Sequence, residues 1–349
     1  MIDDDVVLTA DALTAFGTRI LSAIGCSGDV AQEVAAHLVD ADLRGIYSHG
    51  IVRLTQYAEH ARDGRFNPDA NCRAIQADGG GPLIDGGNGF GIPAMRLAVE
   101  RAIEDAKKNG TGAVGVVNVA HTGHNDVYVE RAANAGCLAI ILGGGSRAEW
   151  RQVVPYGGAK AMLPTNPYAM AIPGGERGPV VLDFATSAGA GGKVYAAKSA
   201  GRPLAPGLCV DKDGYPTTNP DDYFNGGGLL PMAGPKGYGM ALIGELLGEA
   251  MFGEAMDGLN WVVVCLDLSR FRKNSAYHVA AEQCLDELRN CPPAPGIARV
   301  EIPGERERAQ RDDRLKNGIP LPIGVVNELR ESAKLLGIGA PELAVTSQS

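Results

Sequence analysis

The sequence predicts a mixed α/β fold with helical N- and C-terminal segments around a strand-rich middle. Three observations carry this. Residues 9–110 keep apolar side chains at three- and four-residue spacing. Residues 112–268 hold short β-branched runs closed by Gly, Pro, Asn or Asp. Residues 305–336 return to helical spacing.

The elements follow in order. Thr9 caps a helix whose Leu13, Phe16, Ile20 and Ile24 share a face and which stops at Gly25. A second helix spans Ser27–Arg44 through Val30, Val34 and Leu38. A third is expected from Ser48 to the Asp63-Gly64 stop, and a fourth from about Pro93 to Asn109-Gly110. GAVGVVNV, CLAIILGGG, YAMAIP, VVLDFATS, GLCVD and WVVVCLDL then read as strands. Between them lie the amphipathic stretches Asn125–Ala135, Lys193–Ala200, Gly237–Phe252 and Ser275–Arg289. Glu305–Lys316 and Ile323–Leu336 close the chain as helices. The helical ends predict that both termini contribute to one domain. A chain of 349 residues suggests two domains at roughly 150 residues each.

Composition narrows the function. The net charge of −9 repels a phosphate backbone, which disfavours a general nucleic-acid or anionic-membrane binder. No apolar run reaches the length of about 18 residues that a membrane span needs. Seven Cys occur singly without a CxxC, and the N-terminal MIDDDVV is acidic where a signal peptide is basic, so a cytoplasmic protein is expected. Gly is the outlier: 48 residues, twice the usual share of about 7%. Gly between apolar runs is what close backbone approach to a ligand requires.

The first suspect is a Rossmann fingerprint, and the best match is Gly143-x-Gly145-x-x-Ala148 after CLAIIL. A Rossmann turn must open a long helix. Here Val153-Val154-Pro155 follows within a few residues, so the match is weak. Gly86–Gly91 misses the spacing and reads as a turn between strand and helix. No GxxxxGK[ST] is present, and Asp211–Gly214 reads as a hairpin turn rather than a calcium loop.

Six His can be weighed singly. His37, His60 and His278 fall within helical patterns and need no function. In Ser48-His49-Gly50-Ile51-Val52-Arg53, a helix starting at Ser48 would put His49 and Arg53 on one face. That pairs a group titrating near neutrality with a planar fork suited to a carboxylate, and a helix N-terminus would favour neutral imidazole. The alternative is a capping Ser, a structural His and a surface Arg. His121 and His124 follow a strand and precede a helix, where ligand-facing residues of α/β folds gather. With Asp126 they could serve a metal-dependent hydrolase, although no HExxH accompanies them.

Taken together, SHGIVRL from Ser48, the strand-plus-His segment at His121, TNPYAMAIP from Thr165, VVLDFATS from Val180, GPKGYGMAL from Gly234 and PGERE from Pro303 resemble the malate/L-lactate dehydrogenase family. That family also holds sulfolactate, ureidoglycolate and diketogulonate dehydrogenases and cyclic-imine reductases. The resemblance runs from about residue 8 to about 340. It implies a non-Rossmann α/β fold with a largely antiparallel sheet, NAD or NADP as cofactor, and a homodimer with its site near the interface. It implies a helical substrate and dimerisation domain over 1–111 with 301–349, and a cofactor domain over 112–300. It casts His49 as proton carrier beside Ser48, Arg53 as carboxylate clamp, and His121 as a further catalytic His. Thr165 and Asn166 would lie by the substrate. Val181, Asp183, Phe184, Ala185, Thr186, Pro235, Lys236, Pro303, Gly304 and Glu305 would lie by the cofactor, with Asp183 accepting from a ribose hydroxyl and Lys236 offsetting phosphate. No metal is implied. The chain departs from the family at Ala120, Thr122, His124, Pro164 and Phe184, so substrate identity stays open. The resemblance implies a hydride transfer between NAD(P)H and a small 2-oxo acid or 2-hydroxy acid, with reduction of a cyclic ketimine carboxylate as the alternative.

Overall fold

The structure is a computed structural model that describes residues 5–255, 258–340 and 343. Residues 1–4 of the acidic N-terminal stretch, and residues 341–342 and 344–349 of the expected C-terminal segment, lie outside the described residues.

The chain opens with β1 (Asp5–Leu8), α1 (Ala10–Ala23), α2 (Gly28–Leu43), a single 3₁₀ turn (Tyr47–His49) and α3 (Arg53–Arg62). Thr9 caps α1 as its sequence predicts, its hydroxyl accepting from Ala12 N. Next come β2 (Arg73–Gln76), β3 (Pro82–Gly89), α4 (Gly91–Asn109), β4 (Thr111–Val119), α5 (Asp126–Asn134), β5 (Cys137–Gly144), β6 (Tyr168–Gly175) and β7 (Gly178–Phe184). A smaller module follows: α6 (Gly191–Ser199), β8 (Cys209–Val210), β9 (Pro216–Thr217), α7 (Pro220–Phe224), β10 (Gly228–Leu229) and α8 (Pro235–Glu245), which runs on as a π-helix over Leu246–Met251. The chain closes with β11 (Asn260–Asp267), α9 (Asn274–Arg289), α10 (Glu305–Asn317), β12 (Ile319–Pro322) and α11 (Ile323–Leu335).

Seven strands form the main sheet in the order β2-β3-β4-β11-β5-β6-β7. β3 and β4 run parallel and every other neighbouring pair antiparallel, so the largely antiparallel expectation holds. β11 reaches the sheet centre because Trp261, Val263 and Cys265 are apolar on the face packed by α4 and α5. A separate core joins both ends of the chain: Leu13, Phe16, Ile20, Leu38, Ile51 and Leu54 pack with Ile319, Leu321, Val326 and Leu329, while β1 pairs antiparallel with β12. The expected boundary at residue 111 falls between α4 and β4, which share the sheet core. β2, β3 and α4 thus belong with the sheet rather than with the helical core.

Two local expectations change. No helix starts at Ser48. Gly50 is extended (φ −86°, ψ −160°) and separates the 3₁₀ turn from α3, so His49 and Arg53 are not on one helical face. Gly86–Gly89 is strand rather than turn: β3 continues through it with a register shift, and Gly86 packs so closely on the Asn118 carbonyl and the Val119 side chain that no Cβ fits. The Asp211 turn is a hairpin as read, its Oδ1 accepting from Asp213 N and Tyr215 N.

Candidate active site

The weak Rossmann match resolves first. Gly143 and Gly144 end β5, and Gly144 and Gly145 pack directly on the backbone of α8 and its π-helical extension. The buried carboxylate of Glu245 accepts from Gly145 N (3.0 Å), Arg147 N (2.9 Å) and Asn166 Nδ2 (2.8 Å). These glycines serve helix–strand approach, and Gly145 gives its amide to a protein carboxylate.

A cavity of about 1080 Å³ opens between the helical core and the edge of the main sheet, at the upper end of the range for ligand and cofactor sites. Ser48, His49, Arg53 and His121 line it, with Thr165. Val181, Asp183, Phe184, Ala185, Pro303 and Gly304 also line it. Val181 N donates to Pro303 O (3.1 Å), which joins the two segments into one wall. The remaining predicted residues lie elsewhere. Asn166 is fully buried on Glu245, and Thr186 donates to Thr165 O through both N–H (3.0 Å) and hydroxyl (2.9 Å). Glu305 accepts from Arg289 (2.8 Å), and Pro235 and Lys236 stand exposed at the start of α8. These five do not line the cavity of the single chain.

Within the cavity the substrate-side groups are tied together. Ser48 Oγ and His49 Nδ1 are 3.0 Å apart. The rings of His49 and His121 stack with centroids 5.3 Å apart. Burial, and then the neighbouring Arg53 charge, hold His49 down to about 3, and the same two causes hold His121 well below the usual value. Neutral imidazole thus comes from burial and a cation rather than from a helix terminus. Tyr57, buried on α3, places its hydroxyl 2.7 Å from His121 Nδ1. A neutral imidazole carries one N–H, so a phenol donating to Nδ1 leaves the ring proton on Nε2. Arg53 donates from Nε to Ser48 O (2.6 Å) and from Nη1 to Gln56 Oε1 (2.7 Å). Of its five N–H groups two are thereby engaged, and the Nη1/Nη2 edge keeps a pair for a carboxylate.

Asp183 sits opposite. Its Oδ2 accepts from Asn125 N (2.8 Å) and Asp126 N (3.2 Å) at the start of α5. Even so, burial and the nearby Asp126 push the carboxyl up to about 6. Beneath it Arg44, buried, pairs with Asp40 (2.6 Å), Asp126 (3.4 Å) and Glu130 (2.7 Å). His124 bonds Asp126, and against the opposing effect of burial that bond raises its pKa. Of the His121, His124 and Asp126 set considered for a metal, His121 Nδ1 faces Tyr57 and His124 Nδ1 faces Asp126. Among the described residues no three His, Cys, Asp or Glu side chains gather as metal ligands.

Sequence reasoning missed Tyr57, Gln56 and the Arg44 network. The spacing of Arg53, Gln56, Tyr57 and His60 (i, i+3, i+4, i+7) is the signal that one face of α3 looks into the cavity.

The malate/L-lactate dehydrogenase family model matches residues 8–330, and the chain belongs to that family. It is 31% identical to a malate dehydrogenase of Pyrococcus abyssi over 98% of each chain. It is 33% identical to an L-sulfolactate dehydrogenase of Methanocaldococcus jannaschii, covering 91% of this chain and 94% of that one. Among solved structures, malate dehydrogenase from Entamoeba histolytica superposes with TM-score 0.89 at 26% identity, over 97% of this chain and 99% of that one. Δ1-Piperideine-2-carboxylate reductase from Pseudomonas syringae pvar. tomato superposes with TM-score 0.82 at 26% identity, over 94% and 99%.

Proposed function

We propose that this protein transfers a hydride between NAD(P)H and a small 2-oxo acid, or the reverse from a 2-hydroxy acid. The observation that carries the reading is the convergence of His49, His121 and the open edge of Arg53 in one cavity of family geometry. The nicotinamide cofactor supplies or takes up the hydride when bound. The residues fit it: the cavity has the volume, and Arg151, Arg306 and Arg308 line it, offering charge for phosphates. Val181–Ala185 and Pro303-Gly304 are the wall assigned to the cofactor.

Arg53 holds the substrate carboxylate so that its neighbouring C2 is fixed, and His49, oriented by Ser48, moves the proton at the C2 oxygen. Binding the carboxylate offsets the Arg53 charge, the second cause after burial that holds His49 down, and so shifts the imidazole toward its protonated form. Incubating the protein with NADH or NADPH and pyruvate or oxaloacetate, and following reduced cofactor, tests the reading. Turnover supports it, and none with any small 2-oxo acid overturns it.

The likeness to the piperideine-carboxylate reductase favours one second reading, reduction of a cyclic ketimine carboxylate, which keeps the carboxylate and replaces C=O by C=N. A cyclic imine acid in the same assay separates the two.

A homodimer is part of the proposal. Leu242 and Ile243 on α8 and Leu246 on its π-helical extension leave an apolar strip exposed, suited to a second copy of the chain. The helical core with α10 and α11 forms the proposed substrate unit and the main sheet the cofactor unit, with the α8 strip as the proposed contact between copies. A cytoplasmic location is supported by seven unpaired cysteines.

A further inference from the structure

The residues that move the proton sit on a turn with little packing of its own: Tyr47 and Ser48 are exposed and His49 is half-buried. Something else must hold it, since a general acid misplaced by an ångström loses much of its effect. One carboxylate does so. Asp42, near the end of α2, is 1% exposed, and its Oδ2 accepts from Ile51 N at 2.7 Å. From the other side Gly50 lies flat against the same carboxylate, where any Cβ would overlap both oxygens. Asp42 itself is anchored from α10: the Arg314 guanidinium donates to Asp42 O and to the Tyr47 hydroxyl, at the two ends of the loop that carries the turn.

We propose that Asp42 is a positioning residue for proton transfer, its carboxylate locking the Gly50-Ile51 backbone so that His49 is held over His121 and beside Arg53. Asp42 does not line the cavity and touches none of the reacting atoms. The inference rests on the 2-oxo acid reading above.

The test compares Asp42→Ala with Asp42→Asn in the full chain, measuring reduced-cofactor binding by fluorescence and kcat for oxo-acid reduction per cofactor-binding site. Asp42→Ala is expected to lower kcat at least about 30-fold while the cofactor Kd stays within about twofold. Asp42→Asn, which keeps an oxygen for Ile51 N, should recover to within about fivefold of wild type. A role in folding alone would lower the number of cofactor-binding sites and leave kcat per site unchanged. That result overturns the proposal, as does an Asn variant no better than Ala. Should Asp42→Ala fail to fold, Asp42→Glu keeps the acceptor but drives it into Gly50. It is expected to lose kcat with cofactor binding intact, and a wild-type kcat overturns the proposal. A wild-type protein without turnover on any 2-oxo acid instead overturns the functional reading itself, and this inference with it.

Discussion

Arg53→Lys separates carboxylate recognition from mere surface charge. Lysine keeps the charge and the helix propensity at the first position of α3. What it cannot keep is the planar fork. In the structure Arg53 spends Nε on Ser48 O and one Nη1 hydrogen on Gln56, and still offers a parallel pair of N–H groups to a carboxylate. An ammonium can satisfy Ser48 O or the substrate, not both with the same geometry. Loss of one charge-assisted bond costs about 1.5–3 kcal/mol, or roughly ten- to a hundredfold in kcat/KM. Because Ser48 O neighbours the His49 turn, kcat should fall together with the rise in KM, which a residue that only bound the carboxylate would not cause. The assay is steady-state reduction of each active 2-oxo acid, with a neutral carbonyl analogue as control and the melting temperature as a fold check. The loss should be much smaller for the neutral analogue, and melting should barely move. Unchanged kcat/KM for every active oxo acid would refute the clamp.

His49→Ala should lower kcat about 10²–10⁴-fold with cofactor affinity nearly unchanged, and near wild-type kcat would move the role to His121. Tyr57→Phe removes the hydroxyl beside His121 Nδ1 and should cost up to about tenfold in kcat, the worth of one neutral hydrogen bond, while an unaffected variant would show that tautomer control at His121 is idle. Burial and then Arg53 hold His49 down to about 3, so a bound carboxylate that offsets Arg53 should raise the His49 pKa. Calorimetry of oxo-acid binding at acidic pH in two buffers of different ionisation heat should show proton uptake, and equal enthalpies there would contradict it. Burial holds His37 neutral in the folded protein, whereas the unfolded chain binds its proton near pH 6.5. Its contribution to stability is therefore intact above that pH and lost below it. The urea-midpoint difference between His37→Gln and wild type should shift in the variant's favour from pH 7.5 to 5.5, and a pH-independent difference would count against the assignment.

How much was legible in the sequence follows from where the information is local. The Thr9 cap, the Asn109-Gly110 stop and the apolar strand runs are one-dimensional signals, and each lies where it was read. The Ser48 helix failed because capping logic sees Ser48 and not Asp42, whose carboxylate takes the Ile51 N–H and leaves room only for Gly at position 50. β1 and β12 are four residues each and pair across the whole chain, so neither carries a readable period. The resemblance singled out His49, Arg53, His121 and Asp183, and all four line one cavity. Asn166, Thr186 and Glu305 lie off that cavity, where Asn166 Nδ2 donates to Glu245, Thr186 donates to Thr165 O and Glu305 accepts from Arg289. Only three-dimensional accounting of donors and acceptors shows which polar residues remain available to a ligand.

The central claim is that the His49–Arg53 cavity passes a hydride to C2 of a carboxylate-bearing substrate. The most direct measurement is single-turnover reaction of reduced cofactor deuterated at the transferable C4 position with pyruvate, oxaloacetate or a cyclic ketimine carboxylate, followed by mass analysis of the product. The account predicts product carrying one deuterium at C2 with wild type, and at least a hundredfold less in the same time with His49→Ala. Oxidation of the cofactor without deuterium at C2 of any of the three, or equal labelling by the variant, would contradict it.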